Sequence, residues 1–133
     1  MAIVVSLEHL AILNNNSKAK ILAVTLDNAI EILLKNGKSP SRDVGKLDNR
    51  GSHFYLALYW SLELSNQNED ESLKIEFGKI ASELQKREDD IISELNNAQG
   101  ESVDLKGYYF PDIIKTSHVM RPSKILNNII DSF

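Results

Sequence analysis

The chain has 133 residues, 42% of them hydrophobic, 26% charged and only three prolines, which suits one ordinary folded domain and excludes a disordered or low-complexity protein. A formal charge of −4 argues against nucleic acid as a partner, because that recognition calls for a basic face. The absence of cysteine excludes disulfides and thiolate metal sites and is consistent with a cytoplasmic location.

The opening Met1-Ala2-Ile3-Val4-Val5 is apolar but short, has no basic start and runs into Glu8 and His9. It suits neither a signal peptide nor a membrane span, and reads as the beginning of a helix over Val4 to Leu13. Asn14-Asn15-Asn16 then turns the chain, with Ser17 as the expected cap of a second helix. In that helix Ala19, Leu22, Ala23, Leu26, Ala29, Ile30, Leu33 and Leu34 recur at helical spacing, and Asn36-Gly37 followed by Pro40 stops it. Two antiparallel helices are expected.

Residues 37–51 hold three glycines and a proline and few apolar groups, so they predict a long loop of the kind that tends to be functional. A third helix, from Ser52 to about Leu64, is apolar around most of its circumference through Phe54, Leu56, Ala57, Leu58, Trp60, Leu62 and Leu64. It is expected to be the central buried helix. Leu73, Phe77, Ile80, Leu84, Ile91, Leu95 and Ala98 keep a 4-3 spacing, which predicts one long helix closed by Gly100 and lying on the chain's own core. Beyond it Val103 and Leu105 fit a brief extended piece, and Gly107-Tyr108-Tyr109-Phe110-Pro111 an irregular segment. A terminal helix resumes near Ser123 with Ile125, Leu126, Ile129, Ile130 and Phe133 on one face. β-branched alternation is too sparse for a sheet, so the fold class is all-α, a single multi-helix domain over 1–133.

The loop carries the chemistry. Lys38, Ser39, Ser41, Arg42, Lys46 and Arg50 supply cationic donors and hydroxyls in one segment, as capture of a phosphate group requires. Asp43 and Asp48 lie among them, so pairing within the loop is the alternative use of the same charges. His53, in the first turn of the apolar helix, can assist an anion or make a structural hydrogen bond. His9 and His118 lack a partner at metal-ligand spacing. Glu88, Asp89, Asp90 and Glu94 form an acidic run read as the solvated face of the long helix. Tyr55, Tyr59 and Trp60 read as core aromatics with a polar handle.

The segment from Lys38-Ser39-Pro40-Ser41-Arg42 through Asp48-Asn49-Arg50-Gly51-Ser52-His53 to Trp60 resembles, nearly residue for residue, a stretch near the C-terminus of the monomeric-type NADP-dependent isocitrate dehydrogenases. The likeness extends through Asn96-Asn97-Ala98-Gln99-Gly100, Gly107-Tyr108-Tyr109 and Met120-Arg121-Pro122-Ser123 and covers nearly the whole chain, from Ser6-Leu7-Glu8-His9-Leu10 onward. The resemblance implies a C-terminal piece of such an enzyme, carrying part of the NADP site. Arg42 is the first candidate for the adenosine 2′-phosphate and Arg50 the second, with Asn49, Ser52 and His53 as further polar or helix-N-terminal contacts. Which arginine meets the phosphate and which braces the loop stays open at this stage.

In that family the metal-binding aspartates for Mg or Mn and the acid-base residues lie upstream, so the resemblance implies no catalytic residue here. Faces built to meet the missing N-terminal part would otherwise be exposed, which makes either that part or self-association the expected partner. The alternative is a stand-alone helical interaction module without catalysis.

Overall fold

A computed structural model describes residues 2–99 and 113–133. The described residues form helices without strands: α1 (Ala2–Asn14), α2 (Ser17–Lys35), α3 (Asn49–Asn66), α4 (Glu71–Lys86), α5 (Glu88–Asn97), α6 (Ile113–Met120) and α7 (Lys124–Asp131). The fold class is therefore all-α, as the sequence predicts. The expectations for Gly100, Val103, Leu105 and the Gly107 to Pro111 segment concern residues outside the described ones.

Helix α3 lies at the centre, against α2, α4 and α5, while α1 packs on the outer side of α2 and α7 lies across α4 and α5. Phe54, Tyr55 and Leu58 of α3 meet Leu33 of α2, Leu84 of α4, and Ile91 and Leu95 of α5 in the main core. Each fully buried side chain of this kind contributes about 1.5–3 kcal/mol relative to exposure. A second cluster joins Ile21, Leu64 and Leu73, with Trp60 and Phe77 packed on it. Trp60, half-buried, donates its indole N–H to Thr25 Oγ1 at 3.0 Å, so the large ring packs without an orphaned donor.

Helix α1 is unlike the others because it is strongly apolar and its apolar residues are spread around it rather than gathered on one face. Only Val4 is buried, and Ile3, Val5, Ile12 and Leu13 remain more than half exposed. No helix among the described residues is long and apolar enough to cross a membrane.

Four expectations are corrected. The cap of α2 is Asn16, whose Oδ1 accepts from Ala19 N at 3.1 Å, and Ser17 is the first helical residue. Asn15 makes the turn at φ 47°, a left-handed conformation that asparagine tolerates better than most residues. The long helix predicted over 73–98 is two helices, broken at Arg87 (φ −111°, ψ 12°). Asp89 and Asp90 are exposed, in keeping with a solvated face, and with the half-buried Glu88 they form the first turn of α5, where carboxylates favour a helix N-terminus. The break lets α5 leave the line of α4 and reach α3 and α7.

The segment before the terminal helix is also more regular than expected, since Ile113–Met120 is α6. The terminal helix itself begins where predicted, with Ser123 Oγ accepting from Leu126 N at 3.1 Å. Glu94 supports that cap: its Oε2 accepts from Ser123 Oγ at 2.6 Å and from Ile125 N at 3.2 Å. An acid read as solvated thus holds α7 on α5.

The fourth correction concerns the loop, which ends earlier than predicted because α3 starts at Asn49 rather than Ser52. Asp48 is the reason. Its Oδ1 accepts from Gly51 N at 3.0 Å, and its Oδ2 accepts from Arg50 Nε and NH2 at 2.9 and 2.7 Å. Gly51 lets the Leu47 side chain fold over this turn, since a Cβ there would collide with it. Burial pushes the Asp48 carboxyl up, but the hydrogen bonds from Gly51 and Arg50 outweigh it and hold the group below the usual aspartate range.

A depressed folded value means that the charge contributes stability above the ordinary aspartate pKa of about 4, and that this is lost as pH falls through the lower folded value. Asp48→Asn keeps a good cap but removes the charge. Urea unfolding across pH 7 to 2.5 is expected to show the variant less stable at neutral pH, with the difference from wild type shrinking as the medium is acidified. A difference independent of pH would contradict this account of the cap.

Candidate functional site

The loop between α2 and α3 is tied at its base and along its length. Ser41 N donates to Leu47 O at 2.6 Å, closing the segment on itself, and Lys46 N donates to Asp43 O at 3.3 Å within it. Asp43 N donates to Ser41 Oγ at 3.2 Å. Gly45 adopts φ +87°, a conformation that side-chain-bearing residues rarely take, and so reverses the chain after Val44.

The cations of the loop divide by what they hold. Lys38 lies over the Tyr55 ring, its ammonium 4.3 Å from the ring centroid. Lys46 pairs with Asp43 at 2.8 Å. Arg50 is engaged on two sides: it holds Asp48 and donates through NH1 to Val119 O at 2.8 Å, tying the end of α6 to the start of α3. Only a fifth of its side-chain surface remains exposed. Arg42 is exposed and makes no hydrogen bond or ion pair among the described residues.

The other candidates separate as well. Asn49 and His53 are exposed on the first turn of α3, whereas Ser52 is buried at 8% exposure and faces the interior. The N-terminal dipole of α3, offered by sequence as an anion site, already has the Asp48 carboxylate against it. His53 and Arg50 share a cavity of about 220 Å³ with Arg121, walled by Phe54, Leu95, Leu126 and Ile130, and Arg42 is not part of it. Arg121 is occupied there, bonding Asn127 Oδ1 and Asp131 Oδ1, both at 3.1 Å.

Of the aromatics behind the loop, Tyr55 donates its hydroxyl to Glu88 Oε1 at 2.9 Å. Burial, reinforced by the bond to Glu88 and its charge, pushes this phenol well above its ordinary value, so it stays a neutral donor. Tyr59 Oη accepts from Asn36 Nδ2 at 3.3 Å. Neither ring is an exposed stacking platform.

One residue of the site escaped the sequence reading. Gln99, two residues beyond the end of α5, accepts from Gly45 N through Oε1 at 2.8 Å and donates from Nε2 to Lys46 O at 2.5 Å. Its place in Asn96-Asn97-Ala98-Gln99-Gly100 marked it as part of the resemblance, but no periodicity or charge pattern could show what it touches. Arranged in this way, the loop presents a guanidinium fork, that of Arg42, with no partner among the described residues, on a backbone that is braced from both sides. That is a geometry suited to a phosphate or carboxylate.

Comparison with known proteins agrees with the resemblance. A family model for monomeric isocitrate dehydrogenase matches residues 1–131. The chain is 52% identical over 132 residues to isocitrate dehydrogenase [NADP] 2 of Psychrobacter sp. (strain 13A), covering 99% of the chain and 18% of that relative. It is 49% identical over 132 residues to isocitrate dehydrogenase [NADP] 2 of Mycobacterium tuberculosis, with the same coverage. Isocitrate dehydrogenase [NADP] of Azotobacter vinelandii is 50% identical over 127 residues, which is 96% of the chain and 17% of that relative. The chain therefore spans less than a fifth of the length of the curated relatives it matches. A match over nearly every residue at about half identity places the chain in the monomeric isocitrate dehydrogenase family.

Proposed function

We propose that this chain is the C-terminal part of an NADP-dependent isocitrate dehydrogenase and that Arg42 contacts the 2′-phosphate of NADP. In the whole enzyme the reaction would be oxidative decarboxylation of isocitrate to 2-oxoglutarate. The observation that carries the reading is the state of Arg42. Among the described residues it has no partner and stands on a braced loop, whereas Lys38, Lys46 and Arg50 are each held by a partner within the chain. A guanidinium fork matches a phosphate bidentately, so one free arginine supplies both charge and direction.

Arg50 is the brace in this reading. Removing it would expose Asp48 unpaired and free α6 from α3, which disturbs nucleotides in general rather than the 2′-phosphate in particular. Asn49 and His53, exposed on the neighbouring turn, are available for secondary polar contacts. Ser52 is withdrawn as a ligand because it is buried.

Decarboxylation needs a metal ion to polarise the substrate, and among the described residues no three His, Asp or Glu side chains stand together as a metal site. Catalytic groups would come from the upstream part of the enzyme, with Mg or Mn bound there. The exposed apolar surface of α1 is the natural meeting place for that upstream part, or for a second copy when it is absent.

Calorimetric titration with NADP and NAD tests the nucleotide reading. Saturable binding that favours NADP is expected, and Arg42→Ala should weaken NADP by about tenfold, equivalent to about 1.4 kcal/mol, while leaving NAD unchanged. Equal binding of both nucleotides, or an unaltered preference in the variant, would overturn it. Self-association is tested by light scattering over a concentration series: the isolated chain is expected to associate, and a paired Ile12→Glu, Leu13→Lys variant to remain monomeric. A monomer at every concentration for the unaltered chain would contradict that expectation.

A further inference from the structure

We infer that Gln99 is a positioning residue for NADP selectivity, holding the Arg42 loop in its phosphate-ready form through a paired hydrogen bond from just beyond the end of α5. The inference rests on the reading of Arg42 as the phosphate contact. Its basis is geometric. The Gln99 amide meets the backbone of two successive loop residues, accepting from Gly45 N at 2.8 Å and donating to Lys46 O at 2.5 Å.

A primary amide of this length satisfies both. The group that faces Gly45 N–H must accept, and the one that faces Lys46 C=O must donate. Glutamate would set an oxygen against the Lys46 carbonyl, and asparagine is one methylene too short to reach from the same Cα. Gln99 is itself fixed to α5: its backbone N donates to Asn96 O at 3.2 Å, and the second N–H of Nε2 donates to Asn96 Oδ1 at 3.1 Å.

The contact falls at the one place where the loop needs it. Gly45 has a left-handed φ, and its N–H sits at the reversal just beyond Arg42 and Asp43. Without an outside partner, the loop between Ser41 and Leu47 would rest on its internal bonds and on one exposed ion pair, which is worth little in water. With Gln99 in place, the loop is anchored to the same α5 whose Ile91 and Leu95 are packed in the main core. The order of the core is thereby passed to a surface arginine, and the entropy that NADP would otherwise lose in fixing the loop is reduced.

The test is titration of NADP and NAD into wild type, Gln99→Met, Gln99→Glu, Arg42→Ala and the Arg42→Ala, Gln99→Met pair, with thermal unfolding recorded for each. Methionine matches the length of glutamine but has no strong donor or acceptor. Gln99→Met is expected to weaken NADP by about three- to tenfold and leave NAD and the unfolding midpoint nearly unchanged. Gln99→Glu should not restore selectivity. In the Arg42→Ala background, Gln99→Met should have no further effect on NADP, because it acts through that arginine.

An equal loss of NADP and NAD affinity, or full additivity in the double variant, would overturn the positioning role even where Arg42→Ala behaves as expected. If the wild-type chain shows no preference for NADP, or Arg42→Ala leaves that preference intact, the phosphate reading itself fails and the inference falls with it.

Discussion

The carboxylate of Asp48 is the constraint on which the rest of the site depends. One side chain begins α3 by accepting from Gly51 N, and it orients Arg50 through two further bonds. Through Arg50 it reaches Val119 O and so places the end of α6. A partly buried carboxylate with this many donors acts as a local organiser: it faces the positive end of the helix dipole and commits one arginine, and in the proposed reading the other is left to the ligand.

That commitment separates two residues that look alike in the sequence. Two arginines eight positions apart in a polar loop are equivalent in a composition and nearly so in a charge pattern. Folding makes them different, because Arg50 enters the start of α3 behind Asp48, whereas Arg42 stands on the far arm of a closed loop with no carboxylate in reach of its guanidinium among the described residues. The acids that seemed to argue for simple internal pairing are used up by Arg50 and Lys46. Rigidity then comes from two directions, the base closure at Ser41 and Leu47 and the Gln99 amide at the tip.

Much of the fold was legible in the sequence because its signals are local. The apolar stripe of α2, the stop at Asn36-Gly37, the apolar circumference of α3 and the Ser123 cap of α7 each depend on residues within a few positions of one another. The break at Arg87 was hidden by a 4-3 apolar spacing that continues on both sides of it, although the acidic triplet after it was a readable N-terminal signature. The early start of α3 was hidden by Gly51, which looks like loop in a sequence and serves here as the helical residue under Leu47. Gln99 and Glu94 could not be found by pattern at all. Their partners lie 53 and 54 residues away for Gln99 and 29 and 31 for Glu94, distances over which only a folded chain brings groups together.

The central claim is that the two arginines have divided the work, with Arg50 fixed within the protein and Arg42 reserved for a phosphate. Nitrogen-15 NMR of the arginine Nε–H groups tests it most directly, recorded on the chain alone and with adenosine 2′-monophosphate or adenosine 5′-monophosphate. The account predicts a protected Arg50 signal in every sample, and an Arg42 signal that becomes protected only with the 2′-phosphate. Protection of Arg42 without nucleotide, or a 2′-phosphate that shifts Arg50 and leaves Arg42 in free exchange, would contradict it.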